Sequence, residues 1–176
     1  QDKPFALFGH SLGALIAFEL TRLLRRNFNL QPLCLFVSGY IAPGYFQKGV
    51  PKSRKTAPIH TLPDWQFRER LRKFNGTPEE VLNDADVMEM MLPILRADFS
   101  ITDTYTYTPE SPLDLPIIAF GGLKDSEVKL SSIEAWRNHT TNTFSMHVFP
   151  GDHFFLRSAE ELLLQEISRE LKILVS

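Results

Sequence analysis

The alternation of short apolar runs with longer helical patterns is the feature that most constrains the fold of this chain. Four runs are predicted as strands: residues 5–8, 33–38, 116–120 and 144–149. Most of them are continuously apolar, and segments with apolar residues at helical spacing follow them. Buried strands of this kind, alternating with helices, are typical of a parallel sheet covered on both faces. The sequence therefore predicts an α/β fold with a mostly parallel sheet flanked by helices.

A long segment separates the second predicted strand from the third. Residues 41–63 hold four prolines and no acidic residue, which predicts a loop. The following residues carry an irregular helical pattern, in which Asp84 or Asp86 is expected to cap a helix. We expect a helical insertion at about 63–108 within one domain that spans 1–176.

The C-terminal helix has the clearest sequence pattern. Ser158 is predicted to cap it, and Glu161, three residues later, completes a capping box. One apolar stripe is expected to face the sheet: Leu162, Leu163, Ile167, Leu171 and Leu174.

Composition excludes several function classes. A net charge of -2 leaves no overall basic field, so we expect no nucleic-acid partner. The single cysteine, Cys34, excludes an intramolecular disulfide and a cysteine-rich zinc site. No apolar run approaches the roughly 20 residues of a membrane helix, and no signal peptide is visible. We therefore expect a cytoplasmic protein without a membrane anchor.

The segment Gly9-His10-Ser11-Leu12-Gly13 matches the pattern Gly-x-Ser-x-Gly, with a predicted strand before it and a helix after it. This context is typical of a strained turn that exposes a nucleophilic serine, and the turn calls for small residues at both flanks. We predict Ser11 as the nucleophile and the Leu12 N–H as an oxyanion donor. A tight turn in a non-catalytic sheet protein is the alternative.

A nucleophilic serine needs a base and a group that orients this base. Asp125 follows the third predicted strand and His153 follows the fourth, at the strand ends where parallel sheets form their sites. The two positions are 28 apart, which leaves room for one helix and one strand between them. We predict His153 as the base and Asp125 as the orienting acid, with a helix cap near Ser126 as the alternative for Asp125.

Other candidates for these roles are weaker. His10 lies inside the serine turn and cannot reach its neighbour. His147 is in mid-strand and is expected to pack there, while His60 and His139 lie in polar loop contexts. Asp152 is adjacent to His153, so its side chain is expected to point away to the surface.

With these residues in place, the chain resembles the type II (external) thioesterases of nonribosomal peptide and polyketide synthesis. They are α/β-hydrolases related to the medium-chain thioesterase of animal fatty acid synthase. The matching stretches span nearly the whole chain: 4–14, 35–39, 92–99, 116–125 and 150–156. The segment Arg96-Ala97-Asp98-Phe99 is more specific than the serine motif, which all α/β-hydrolases share.

The resemblance implies hydrolysis of a thioester on the phosphopantetheine arm of an acyl or peptidyl carrier protein, or on CoA. It implies no metal and no cofactor beyond the phosphopantetheine that the substrate carries. It also implies that the helical insertion is a lid. An esterase acting on oxygen esters, or a weakly active fragment that only docks to carriers, remains an alternative.

One departure from the family concerns the N-terminal side. Family members have further strands and a loop with a second oxyanion donor before the serine motif, whereas only Gln1-Asp2-Lys3-Pro4 precede the first strand here. We therefore expect a partial α/β-hydrolase domain that lacks its N-terminal strands and has weak activity in this form.

Aromatic and methionine side chains of the insertion are candidates for an acyl channel, because methionine surfaces repack easily. The residues predicted to line it are Trp65, Phe67, Met90, Met91 and Phe99, with Phe154 beside His153. Ordinary helix packing is the alternative for each. A basic stretch precedes them, and it is expected either to steer an acidic carrier or to form a solvated face: Lys48, Lys52, Arg54 and Lys55.

Overall fold

The structure, a computed structural model, describes residues 3–45 and 57–175. The chain divides into two compact units, of which Gln1–Tyr45 and Pro109–Ser176 form the first and Phe46–Thr108 the second. The basic stretch expected to steer a carrier lies outside the described residues: Lys48, Lys52, Arg54 and Lys55. Of the helices in the described ranges, none has the length and apolar character needed to cross a bilayer.

The first unit is built on a parallel sheet. Its strands are β1 (Leu7–His10), β2 (Leu35–Ser38), β3 (Ile117–Gly122) and β4 (Phe144–Phe149), in the order β1-β2-β3-β4. All three pairings are parallel, which confirms the sheet predicted from the apolar runs. β1 begins two residues later than predicted and includes Gly9 and His10, because these residues pair with Val37 and Ser38.

Helices cover both faces of this sheet. On one face, α6 (Phe155–Ser158) and α7 (Glu160–Val175) pack on β2, β3 and β4. The buried cluster there comprises Cys34, Phe36, Ile118, Phe120, Phe149, Phe155, Ala159 and Leu163. The opposite face carries α1 (Leu12–Phe28) and α5 (Leu130–Glu134), since a side chain built at Gly9 or Gly121 meets atoms of these two helices.

A short 3-10 helix, Ala135–His139, follows α5 and anchors the loop after β2. Trp136 is fully buried, and its Nε1–H donates a 2.9 Å hydrogen bond to the Tyr40 carbonyl. The ring of Phe18 from α1 packs edge-on against Trp136, with 5.2 Å between ring centroids. Through these contacts, α1 packs against the 3-10 helix that follows β3 and α5.

The second unit is helical. It contains a 3-10 turn at Ile59–Thr61 and the helices α2 (Asp64–Phe74), α3 (Glu79–Asn83) and α4 (Ala85–Thr104). Its core consists of Phe67, Leu71, Leu82, Met88 and Leu92. Of the two predicted caps, Asp84 is the one that begins α4, because its carboxylate accepts hydrogen bonds from the N–H groups of Asp86 and Val87. The insertion predicted at about 63–108 falls within this unit.

Two details of the C-terminal helix were predicted wrongly. Ser158 is the last residue of α6 rather than the cap of α7, which begins at Glu160 after a break at Ala159. Leu162 is half exposed, whereas Leu163 is buried in the sheet cluster. Ile167, Leu171 and Leu174 follow Leu163 at helical spacing and pack against the same cluster, so Leu162 lies to one side of the stripe.

Candidate active site

The turn between β1 and α1 holds Ser11 in an unusual backbone conformation. Its φ of 52° and ψ of -124° are rare for a residue with a side chain and cost about 1–3 kcal/mol. The Ser11 N–H donates to the Ser38 carbonyl at 2.8 Å, and the Ser11 carbonyl accepts from the Ala14 N–H at 2.9 Å. The neighbouring strand and the first turn of α1 therefore stabilise the strained residue from both sides.

The two glycines of the motif have different surroundings. A Cβ atom built at Gly9 would lie 2.0 Å from the Gly13 carbonyl oxygen, because the backbone of α1 passes directly against β1. At Gly13, apart from its chain neighbours and the backbone of its own helix turn, no described atom lies within 4 Å of such a Cβ. The expected need for a small residue is thus confirmed at Gly9, but contacts with the described residues do not impose it at Gly13.

A matched pair of substitutions tests this difference. We expect Gly9→Ala to lower the free energy of unfolding by about 3 kcal/mol or more, because helix and strand must separate to admit the methyl group. Gly13→Ala is expected to change it by less than about 1 kcal/mol, since alanine is the better helix former. Urea unfolding of both variants measures the difference, and equal stabilities would contradict the close approach at Gly9.

The three residues predicted as nucleophile, base and acid lie together in the structure. His153 Nε2 is 3.1 Å from Ser11 Oγ, and His153 Nδ1 is 2.8 Å from Asp125 Oδ2. The Asp125 side chain is fully buried and that of His153 is 5% exposed. Ser11 follows β1, Asp125 follows β3 and His153 follows β4, so all three stand at the carboxyl ends of parallel strands.

The electrostatics of Asp125 determine the direction of these hydrogen bonds. Burial opposes ionisation of the carboxyl group, but the hydrogen bond and charge of His153 and the N–H groups of Glu127 and Val128 outweigh it and lower the pKa. An ionised carboxylate can only accept, so the Nδ1 of His153 carries the proton that it donates to Asp125. Nε2 then carries no proton and can accept a hydrogen bond from the Ser11 hydroxyl.

Leu12, the predicted oxyanion donor, is the first residue of α1. An N–H group at the first position of a helix has no carbonyl partner within that helix, and the positive end of the helix dipole lies there. Both properties suit the stabilisation of a negative oxygen, although the role of Leu12 itself stays a prediction.

His10 and Ser38 form a pair beside His153 that the sequence analysis missed. His10 Nδ1 lies 2.9 Å from Ser38 Oγ, and the His10 ring centroid is 5.1 Å from that of His153. Burial and the nearby charge of His153 lower the pKa of His10 to about 4, against the attraction of Asp125. His10 is therefore neutral at pH 7. The feature that brings the two residues together is the register of β1 and β2, in which His10 stands opposite Ser38.

Phe154 also lies beside the three residues. Its ring is 5.3 Å from that of His153 and 5.6 Å from that of His10, measured between centroids. The guanidinium carbon of Arg157 lies over the same ring, 5.2 Å from its centroid. The Phe154 ring thus contacts the His153 ring, while its contact with an acyl chain stays a prediction.

The alternative histidines have other surroundings. The Nδ1 of His60 lies 2.9 Å from Asp103 Oδ2 in the second unit. His139 was expected in a polar loop but is buried, with Nε2 2.9 Å from the Pro43 carbonyl oxygen. His147 is a strand residue, as predicted, and faces α7. Asp152 accepts a hydrogen bond from the Phe154 N–H.

The candidate channel residues of the insertion differ in exposure. Phe67 is fully buried in the core of the second unit, and the ring of Phe99 packs edge-on against it. Trp65 and Met90 are largely exposed, and Met91 is partly buried. Phe67 and Phe99 thus pack within the second unit, as the alternative of ordinary helix packing predicts. The lid role of the insertion and acyl binding by these residues stay predictions.

Comparison with known proteins identifies the family. The sequence model of the thioesterase domain matches residues 1–171, which is almost the whole chain. The chain belongs to the thioesterase family. This confirms the resemblance stated from the serine motif and the surrounding segments.

Curated relatives of this thioesterase-family chain come from biosynthetic systems. It is 45% identical over 173 residues to the gramicidin S biosynthesis protein GrsT of Aneurinibacillus migulanus, covering 98% of this chain and 65% of that protein. It is 38% identical over 159 residues to the medium-chain S-acyl fatty acid synthase thioesterase of Rattus norvegicus, covering 89% and 57%. The chain thus spans less than two thirds of the length of these two relatives.

A solved structure supports the same fold for this thioesterase-family chain. The type II thioesterase BorB from the borrelidin biosynthetic cluster superposes with a TM-score of 0.81 at 35% identity. The match covers 96% of this chain and 66% of BorB. The predicted α/β-hydrolase fold, a parallel sheet flanked by helices, is confirmed.

Proposed function

We propose that the protein hydrolyses acyl thioesters carried on the phosphopantetheine arm of a carrier protein or on CoA. The observation that carries this proposal is the hydrogen-bonded series from Ser11 through His153 to Asp125 within a thioesterase-family chain. The relatives named above are a gramicidin S biosynthesis protein, a type II thioesterase from the borrelidin biosynthetic cluster and a fatty acid synthase thioesterase. An acyl or peptidyl carrier protein is therefore the proposed partner, and the cytoplasm the proposed location.

In the first half-reaction, Ser11 Oγ attacks the carbonyl carbon of the thioester while its proton moves to His153 Nε2. Asp125 keeps the ring in the correct tautomer and stabilises the imidazolium that forms. The Leu12 N–H stabilises the negative oxygen of the tetrahedral intermediate. The carbon–sulfur bond then breaks, and the thiolate leaves as a thiol with the proton from Nε2.

The second half-reaction releases the acid. A water molecule gives a proton to His153 Nε2 and attacks the acyl carbon, and the ester bond to Ser11 Oγ then breaks. The proton returns from Nε2 to Ser11, and the acyl group leaves as a carboxylic acid. These steps use the side chains of the site and water, so we propose a reaction without a metal or resident cofactor.

We propose His10 as a positioning residue for the ring of His153. A neutral imidazole held by Ser38 fills the space beside His153 and adds no positive charge next to the imidazolium formed in the reaction. The low pKa of His10 also makes the fold sensitive to acid. Since the unfolded chain binds a proton near pH 6.5 and the folded chain only near pH 4, His10 opposes folding increasingly as the pH falls between these values.

We therefore expect His10→Phe to flatten the loss of stability on the acid side. The linked free energy amounts to about 3 kcal/mol between pH 7 and pH 4, at about 1.4 kcal/mol per pKa unit. Urea unfolding of both proteins at several pH values measures this difference. Parallel stability curves for the variant and the parent would contradict a neutral, partly buried His10.

Substrate panels test the proposed function directly. The protein at its full natural length is assayed with short and medium acyl-CoA, the same acyl groups on a carrier protein, and matched oxygen esters, with Ser11→Ala as the blank. We expect thiol release from the thioesters, faster than hydrolysis of the esters and abolished in the blank. A folded protein that cleaves only the oxygen esters, or none of these compounds, would overturn the proposal.

A further inference from the structure

A second cluster of titratable groups lies between β4 and α7, and the reaction proposed above does not use it. His147 stands in the middle of β4, on the face of the sheet that α7 covers. Its Nε2 lies 3.4 Å from Glu166 Oε1 and 3.3 Å from Glu170 Oε1. The two glutamates are four residues apart on α7, so they project from the same side of this helix.

One nitrogen of this cluster has no hydrogen-bond partner among the described residues. His147 Nε2 is buried and makes no hydrogen bond to any residue that the structure describes. The two carboxylates, with side chains 19% and 17% exposed, approach each other closely enough to repel. Arg169, whose side chain is 60% exposed, forms an ion pair with Glu166 Oε1 and a longer one, at 3.8 Å, with Glu170 Oε1. A cation between the three atoms would satisfy all of them.

The spacing agrees with the requirements of a small divalent metal. In tetrahedral coordination at about 2.0–2.1 Å, two ligand atoms of Zn²⁺ lie about 3.3–3.4 Å apart. The two distances from His147 Nε2 have these values, and the three ligand atoms all lie within 4.8 Å of one another. One imidazole and two carboxylates are common zinc ligands, and water would take the fourth position.

We propose that His147, Glu166 and Glu170 bind a divalent transition-metal ion, with Zn²⁺ as the preferred occupant. The ion joins β4 to α7 and thereby fixes both ends of the segment that carries His153. Cys34 is not counted as a ligand, because the group of ligand atoms that lie within 4.8 Å of one another holds only His147, Glu166 and Glu170 among the described residues. The proposed metal ion has a structural role, so the outcome of its test does not depend on the proposed hydrolysis.

The test is titration of the metal-free protein at full length with Zn²⁺ alone, by calorimetry and by the shift in melting temperature. We expect one Zn²⁺ per chain and a higher melting temperature. Glu166→Gln, Glu170→Gln and His147→Gln should each weaken the affinity at least about tenfold. The matched control is His60→Gln, since His60 faces the single carboxylate of Asp103, and its affinity should equal that of the parent.

Folding of each variant is checked by circular dichroism before metal is added. Glu166 and Glu170 lie on an outer helix, so their glutamine variants keep the test decisive even if His147→Gln unfolds. Binding of Co²⁺ with the visible spectrum of a four-coordinate site would support the geometry. Absence of saturable Zn²⁺ binding, or equal affinity in both glutamate variants and the parent, would overturn the proposal and leave an ion-pair cluster only.

Discussion

Replacing His153 with alanine is expected to lower kcat for thioester hydrolysis roughly 10⁶-fold. Without this imidazole, no described group within hydrogen-bond distance of Ser11 Oγ can take its proton, as His153 Nε2 does at 3.1 Å. A neutral hydroxyl is a poor nucleophile, so the acylation step should nearly stop. The rate of thiol release from an acyl-CoA at saturating substrate measures the loss.

The double variant makes this prediction sharper. Ser11 and His153 act as a unit, so Ser11→Ala combined with His153→Ala should retain the same residual rate as either single variant. His60→Gln, a histidine change in the second unit, is the control and should keep the parent rate. Additive losses in the double variant would show that the two residues act separately.

Replacing Asp125 with asparagine is expected to lower kcat about 10⁴-fold with little effect on stability. The asparagine oxygen can still accept from the N–H groups of Glu127 and Val128, which bond to Asp125 Oδ1 at 2.8 and 3.0 Å. Its amide, however, presents a donor to His153 Nδ1 in place of the Oδ2 acceptor. The ring proton then moves to Nε2, where it blocks acceptance of the serine proton.

Asp152→Asn is the matched control, because Asp152 is adjacent to His153 in the sequence but bonds to the Phe154 N–H. We expect this variant to keep kcat within a few fold of the parent. Steady-state kinetics on both variants, with unfolding curves to verify folding, separate the two aspartates. Equal losses in the two variants would contradict the assignment of Asp125.

The positions of the three site residues follow from rules that act locally. A strand–serine turn–helix pattern specifies where Ser11 stands, since only glycine fits at position 9 against the helix backbone. Strand ends in a parallel sheet share one edge, so residues that follow two different strands meet there. For this reason, Asp125 and His153 could be predicted from the sequence without knowledge of their distance.

Features that depend on register and on packing between elements could not be predicted. The pairing of His10 with Ser38 requires knowing which residues of two strands stand opposite each other. The polar neighbours of His139 suggested a loop, yet the rings of Phe18 and Trp136 enclose it. Likewise, Ser158 is a residue type that often caps helices, but α7 begins two residues later, at Glu160. Packing of α7 on the sheet buries Leu163 and leaves Leu162 half exposed.

The order of the strands has a consequence for when the candidate active site forms. Ser11 and His153 are 142 residues apart in the chain, and their hydrogen bond requires that β4, the last strand of the described sheet, has docked. Contacts of such long sequence separation form late in folding. A nascent chain that emerges from the ribosome therefore carries Ser11, the proposed nucleophile, long before His153, the proposed base. An incomplete chain in which β4 has not docked should not catalyse the proposed hydrolysis.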